Sequence, residues 1–295
     1  MKKITIFLLF STIIFANKVS TYKPIWKCFE RGDTQYVAIR EFGVSNKNSS
    51  AMLLAINSQT LDSKIFYKKD INATNCYESR YFDLLEAAAK EPYPLENDGI
   101  VESNSSIVLT TDLCPSSKKG FEKRLYQTLF TKFKKPVPVT LFITKRWIRK
   151  HFKEFKLLKQ WQKEGKLNIT WGNHTAYHHY HPKAKLEHNY VLSPEENLQK
   201  DILDLEIELL NRGIIPTPFF RFPGLVSDKK SVNIVKNLGL IIIGSNAWLA
   251  NGDKIKPNSI ILLHGNKNEP RGVDMFFKEL KKGKIKELKD IKEAL

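Results

Sequence analysis

From residue 106 onward, short apolar runs alternate with longer stretches whose apolar positions repeat at helical spacing. SIVLTTD (106–112), VPVTLFIT (137–144) and LNITWGN (167–173) read as buried strands. Between the first two, Phe121, Leu125, Leu129 and Phe133 repeat along GFEKRLYQTLFTKF as one face of a helix. RWIRKHFKEFKLLKQWQKEG (146–165) reads as a single amphipathic helix that Gly165 can end. SPEENLQKDILDLEIELLNRG (193–213) has Ser193 and Glu196 spaced as a capping box, Pro194 at the first helical position and Gly213 at the end. TPFFRFPG (217–224) and LGLIIIGS (238–245) are further strand candidates around the helix KSVNIVKN (230–237). SIILLHG (259–265) closes the series, before a last helix at VDMFFKELKKG (273–283). Alternation of this kind predicts an α/β fold built on a parallel sheet or barrel.

Residues 21–100 have a different texture. TQYVAIREFG, AMLLAIN and SKIFYKKDI suggest strands and YFDLLEAAAKE a helix, a small α+β accessory region without a catalytic constellation. EPYPLENDG (91–99) reads as a linker or long loop.

In a parallel barrel, chemistry gathers at the C-terminal ends of the strands. Asp112, His174, Arg221 and His264 each stand at such an end, so one mouth is expected to hold all four. His174 and His178 lie four residues apart, a spacing that suits two metal ligands on one helical turn but also occurs in a histidine-rich loop. His179, His181 and His188 add surplus loop histidines or a substitute ligand. Trp248 suits stacking on a sugar face, with core packing as the plain alternative.

Composition narrows the setting. The chain has 295 residues, 42% of them hydrophobic, enough for one large domain and a small one. MKKITIFLLFSTIIFA (1–16) has two lysines, a short apolar run and a small residue at Ala16, the pattern of a cleaved secretory signal. The run is short for a membrane span of about 20 residues. The mature protein is therefore expected to be exported, periplasmic or extracellular, without an integral span. In that compartment Cys28 and Cys76 can pair, leaving Cys114 odd. The net charge of +17 favours anionic polymers or membrane surfaces, unless it reflects a general lysine bias. No aromatic-and-basic motif for nucleic acid is present.

Four motifs in order resemble the NodB-homology polysaccharide deacetylases, carbohydrate esterase family 4: TTDLCPS, HTAYH, RFPG and ILLHG, with Asp112, His174/His178, Arg221 and His264 at the marked positions. The resemblance covers residues 106–281 and implies a distorted (β/α) barrel of about seven strands, here over residues 106–285. It further implies a divalent metal, zinc first and cobalt second, and hydrolysis of acetyl groups on an amino-sugar polysaccharide. His174 and His178 are the implied metal ligands, and Asp112 is either the general base, by alignment, or the third ligand. His264 is the implied general acid and Arg221 the group that orients Asp112. Pro223, Gly224 and Trp248 are the implied substrate contacts. Two departures stand out. Leu113 occupies the place of the family's metal-binding aspartate, and Asn246 in SNAWL replaces the acid that tunes the catalytic histidine. Cys114 reads as a small residue in the glycine place, whose backbone N–H can serve as an oxyanion donor. An active exported deacetylase acting on an amino-sugar polymer, with peptidoglycan as one candidate, is the first expectation. A catalytically impaired barrel that binds polysaccharide is the second.

Overall fold

The computed structural model describes residues 18–45 and 50–295, so the signal segment expected at 1–16 lies outside the described residues. No helix among them is long and apolar enough to cross a membrane. Four antiparallel strands come first: β1 (Val19–Arg31), β2 (Thr34–Val44), β3 (Met52–Asn57) and β4 (Ser63–Tyr67), side by side in chain order. Three of these match the runs read from alternation. β1 went unread because its polar residues and Pro24 blur any period of two; it lies at the sheet edge, where a missing N–H is tolerated. Its register with β2 shifts between Pro24 and Lys27. Cys28 of β1 forms a disulfide with Cys76, their Cα atoms 5.2 Å apart, and Cys114 remains free and buried.

After helix α1 (Arg80–Ala88), seven strands form a curled parallel sheet. They are β5 (Val108–Leu113), β6 (Val137–Ile143), β7 (Leu167–Asn173), β8 (Phe219–Phe220), β9 (Ile241–Ile242), β10 (Ala247–Trp248) and β11 (Ile260–His264). Their order is β10-β11-β5-β6-β7-β8-β9, every neighbouring pair parallel. This is the distorted (β/α) barrel, left open where β9 and β10 fail to pair. The proline-rich segment read as a linker leads into that opening. Ile100 bridges Ile243, Glu102 bridges Ser259, and Asn97 exchanges bonds of 2.7 and 2.9 Å with the Ser245 backbone. A Cβ on Gly99 would stand 2.5 Å from Ile242, so only glycine lets the segment lie this close.

Helices α2 (Lys123–Lys132), α3 (Lys145–Lys150), α4 (Phe152–Lys163), α5 (Leu198–Asn211), α6 (Lys229–Asn237) and α7 (Pro270–Lys281) cover the sheet. Two differ from the sequence reading. The helix expected over 146–165 breaks between α3 and α4 at His151, which is buried, stacks on Trp147 at 5.3 Å and reaches the Ser116 carbonyl at 3.2 Å. The helix expected from Ser193 starts at Leu198 instead, because the Asn197 side chain accepts from Lys200 N at 3.0 Å and caps it there. Gly165 and Gly213 follow helix ends with positive φ, as expected.

The N-terminal sheet and the barrel share one apolar cluster in which Val37, Ile39 and Leu54 join Phe219, Phe220 and Ile241. At their junction the fully buried Arg40 donates to both oxygens of Glu206 on α5, at 2.6 and 2.8 Å, and to the Leu238 carbonyl at 2.7 Å. Tyr22 donates to the same carboxylate at 2.9 Å. Removing one partner of a buried ion pair strands the other charge, so Arg40→Ala should cost about 3–5 kcal/mol. Tyr22→Phe, which loses only one donor, should cost about 1 kcal/mol. Urea denaturation midpoints measure both, and equal losses would contradict this account.

Candidate active site

The register of the parallel strands sets the site. His264 at the end of β11 pairs with Asp112 of β5, and Asp112 pairs with Phe142 of β6. Alternation along β5 points Thr110 and Asp112 to one side and Leu109 and Leu113 to the other, where both leucines pack against α2. Leu113 is fully buried there and cannot face the mouth. Cys114 follows on the same side as Asp112.

Asp112 is nearly buried and its Oδ1 accepts from Arg221 Nη1 at 2.9 Å, while Oδ2 lies 3.8 Å from His174 Nε2. Arg221 itself has no exposure and does not line the cavity; it acts through Asp112 as a positioning residue. His174 Nδ1 lies 2.8 Å from the Arg221 carbonyl. A carbonyl can only accept, so Nδ1 carries a proton and Nε2 is the nitrogen that faces the cavity. Nε2 is 3.4 Å from Cys114 Sγ.

His174 and His178 are brought together by a loop, not by a helical turn. Their ring centroids are 4.9 Å apart, with Thr175 and His178 in the left-handed region at φ 66° and 50°. Asp201 on α5 holds that loop, its Oδ1 accepting from Ala176 N at 3.1 Å and Tyr177 N at 3.0 Å. Its neighbour Glu196, desolvated and facing the Asp201 charge, is raised to about 7. His179 turns to Glu196 at 3.5 Å, and His181 and His188 are exposed, so none of the three joins the cluster.

On the far wall, His264 Nδ1 stands 2.8 Å from Glu269 Oε2, a close ion pair in which the ring N–H is not aligned as a hydrogen bond. The Trp248 indole donates to the same oxygen at 2.9 Å. Asn246 takes no part: its amide is bound to Ile260 N at 3.0 Å and Asn258 O at 3.5 Å, stapling β10 to β11. Glu269 was missed in the sequence because it lies five residues past His264 in a polar loop, without a motif to mark it.

These groups line one cavity of about 390 Å³ together with Tyr180, Tyr190, Trp248 and Gly224. Trp248 and Gly224 both stand in the wall of that cavity. Pro223 is buried in the turn and outside the cavity wall, so the structure does not bring it to the site. Cys114, read as a mere space-filler, instead has its sulfur inside the cluster. Cys114, His174 and His178 offer donor atoms all within 4.8 Å of one another. One sulfur and two imidazole nitrogens suit zinc, with a fourth place open. Burial opposes ionisation of the Cys114 thiol, but His178, His174 and His264 outweigh it and hold the thiol well below its usual range. Burial likewise disfavours His264 as a cation, yet Cys114, Glu269 and Asp112 raise it well above an ordinary imidazole. His174 is raised for similar reasons, by Cys114 and then Asp112 against burial.

The model of one family, polysaccharide deacetylase, matches residues 100–243. The likeness to the polysaccharide deacetylase family is thus shown over these residues of the barrel. The match takes in Asp112, His174, His178 and Arg221, and stops short of His264 and Glu269. Among solved structures, a family 4 carbohydrate esterase from Bacillus anthracis is 20% identical, with 75% of this chain and 93% of that one covered and a TM-score of 0.47. A family 4 pseudoenzyme from the same organism is 16% identical, covering 64% and 65%, with a TM-score of 0.43. The chitin deacetylase of Colletotrichum lindemuthianum is 17% identical, covering 64% and 88%, with a TM-score of 0.44.

One wall of this cavity depends on a glycine. Gly224, at φ 64°, lies under the Tyr190 ring, and an added Cβ would sit 2.5 Å from it. Gly224→Ala should therefore destabilise by about 1–3 kcal/mol through overpacking. Much of that loss should vanish in the Gly224→Ala/Tyr190→Ala double variant, measured by thermal denaturation as a double-mutant cycle. Strict additivity would refute the contact.

Proposed function

We propose that this protein is an exported, divalent-metal-dependent N-deacetylase acting on an amino-sugar polysaccharide, with a wall polymer such as peptidoglycan as its substrate class. What carries the reading is the convergence of the Arg221-bound Asp112, His174, His178 and the His264–Glu269 couple on one cavity of a deacetylase-like barrel. Export is supported by the N-terminal pattern and by the Cys28–Cys76 disulfide, a bond that persists in oxidising compartments. The charge of +17 suits an acidic polymer.

His174 and His178 would hold the cation, zinc in preference to cobalt, with a third donor from β5 or the residue after it. A divalent cation there supplies Lewis-acid polarisation of the acetyl carbonyl. Asp112, oriented by Arg221, takes a proton from the water that adds to that carbonyl. His264 as imidazolium gives a proton to the amide nitrogen while the C–N bond breaks, releasing acetate and the free amine. Glu269 favours the imidazolium form of His264, the work expected of the acid that Asn246 replaces. Trp248, Tyr180 and Tyr190 offer ring faces to the sugars. The binding-only reading drew on two missing carboxylates, and Glu269 weakens that ground at the second of them.

Acetate release from N-acetylglucosamine oligomers with zinc supplied tests the reading. Asp112→Asn and His264→Ala should each lower kcat by about 10²–10⁴-fold. Oligomer binding without acetate release would favour the binding-only alternative. The pH profile adds a second check. His264 works protonated, so activity falls as pH rises through its raised pKa. Glu269→Gln removes one of the groups that raise it, and the alkaline limb of kcat/KM should move to lower pH. An unmoved limb would deny Glu269 this part.

A further inference from the structure

Cys114 is a buried nucleophilic side chain in the cavity to which the proposed hydrolysis gives no work. We infer that its sulfur is the third protein ligand of the cation, completing a thiolate–bis-imidazole site with His174 and His178 and leaving the Asp112 carboxylate free as base. The inference names the ligand set of the site proposed above and rests on that reading.

Geometry is the first support. Two donors about 2.1–2.3 Å from one zinc ion at tetrahedral angles stand about 3.6 Å apart. Cys114 Sγ and His174 Nε2 are 3.4 Å apart, and the three donor atoms all lie within 4.8 Å. Nε2 is the nitrogen that faces inward, because Nδ1 is committed to the Arg221 carbonyl at 2.8 Å. Position along the strand is the second. Leu113 packs toward the helices, so no donor at 113 could reach the mouth, whereas 112 and 114 share the inner side. The third is what surrounds the thiol. A nucleophilic cysteine needs one base, but both His174 and His178 converge on this sulfur. The disulfide consumes the other two cysteines, so exchange within the chain does not compete.

Coordination needs a thiolate and neutral imidazoles, so forming the sulfur–metal and nitrogen–metal bonds releases to solvent the proton held by Cys114 or His174. A soft thiolate favours zinc, cobalt or cadmium over magnesium, calcium or manganese.

X-ray absorption on the zinc-loaded full chain should resolve one Zn–S distance of about 2.3 Å beside nitrogen or oxygen at about 2.0–2.1 Å. Cys114→Ser should lose the sulfur shell, and its zinc affinity should fall by more than the ~10–100-fold typical of outer-shell changes. In the wild type, which needs no variant to fold, zinc should protect Cys114 from iodoacetamide under native conditions, whereas magnesium should not. A zinc-loaded wild type with only nitrogen and oxygen neighbours would overturn the inference while leaving a metal-dependent deacetylase intact. So would a thiol alkylated equally fast with and without zinc, or an acetyl thioester found on Cys114 by mass spectrometry after incubation with acetylated oligomers. A chain that binds no zinc at all would remove both this inference and the metal-dependent reading beneath it.

Discussion

The site is organised around one guanidinium that never meets solvent. Burying an arginine is costly unless its N–H groups find partners. Arg221 finds them on three sides: Thr110 and Asp112 of β5 at 2.6 and 2.9 Å, the Ile243 carbonyl at 3.1 Å and the Gly244 carbonyl at 2.7 Å. Its plane also lies 4.3 Å from the Phe142 ring centroid on β6. Its backbone N–H donates to Asn173 at the end of β7, and its carbonyl receives the His174 ring. One residue thus joins four strands and sets the orientation of both Asp112 and His174. Had any of these partners been absent, the unpaired charge would have favoured another packing of the strand ends.

The charges around Cys114 depend on one another. The sulfur is favoured as thiolate by the imidazoles, and the imidazoles His174 and His264 are favoured as cations by the sulfur. Binding a cation at the sulfur would neutralise it and compete with a proton at His174. His264 would then lose its largest supporting charge and rely on Glu269 and Asp112. With a cation on the sulfur, the Glu269 contact would be the chief support left for protonated His264.

Much of this architecture was legible because strand periodicity and strand ends carry the information. SIVLTTD, LNITWGN and SIILLHG put Asp112, His174 and His264 at strand tips on one end of the sheet, and parallel register does the rest. What escaped depends on contacts distant in sequence. The break at His151 is explained only by Ser116, and the late start of α5 by Asn197 outcompeting Ser193 as the cap. β1 has no period to read. The histidine pair kept its spacing but changed its reason, since a clamp from Asp201 replaced the helical turn. Glu269 and the Cys114 sulfur were hidden because motif matching asks which residue stands at a position, not which atom reaches a place.

That distinction explains how a barrel that departs from the resembled motifs at 113 and 246 can still bring donors to its cavity. Strand ends fix where a backbone passes the mouth, while side-chain length and the next loop decide which donor arrives. A sulfur at 114, on the inner side with Asp112, can meet the two imidazoles that residue 113, turned toward the helices, cannot, and a longer acid from the β11 loop can reach the His264 ring. The substitutions are not neutral exchanges. A thiolate is softer than a carboxylate and exposes the site to oxidation, so it narrows the range of metals and conditions in which the cluster holds together. Glu269 binds the acid through the same oxygen that receives the Trp248 indole, which couples the protonation of His264 to an aromatic wall of the cavity. A sugar ring packing on Trp248 would therefore press on Glu269, the residue whose carboxylate faces His264.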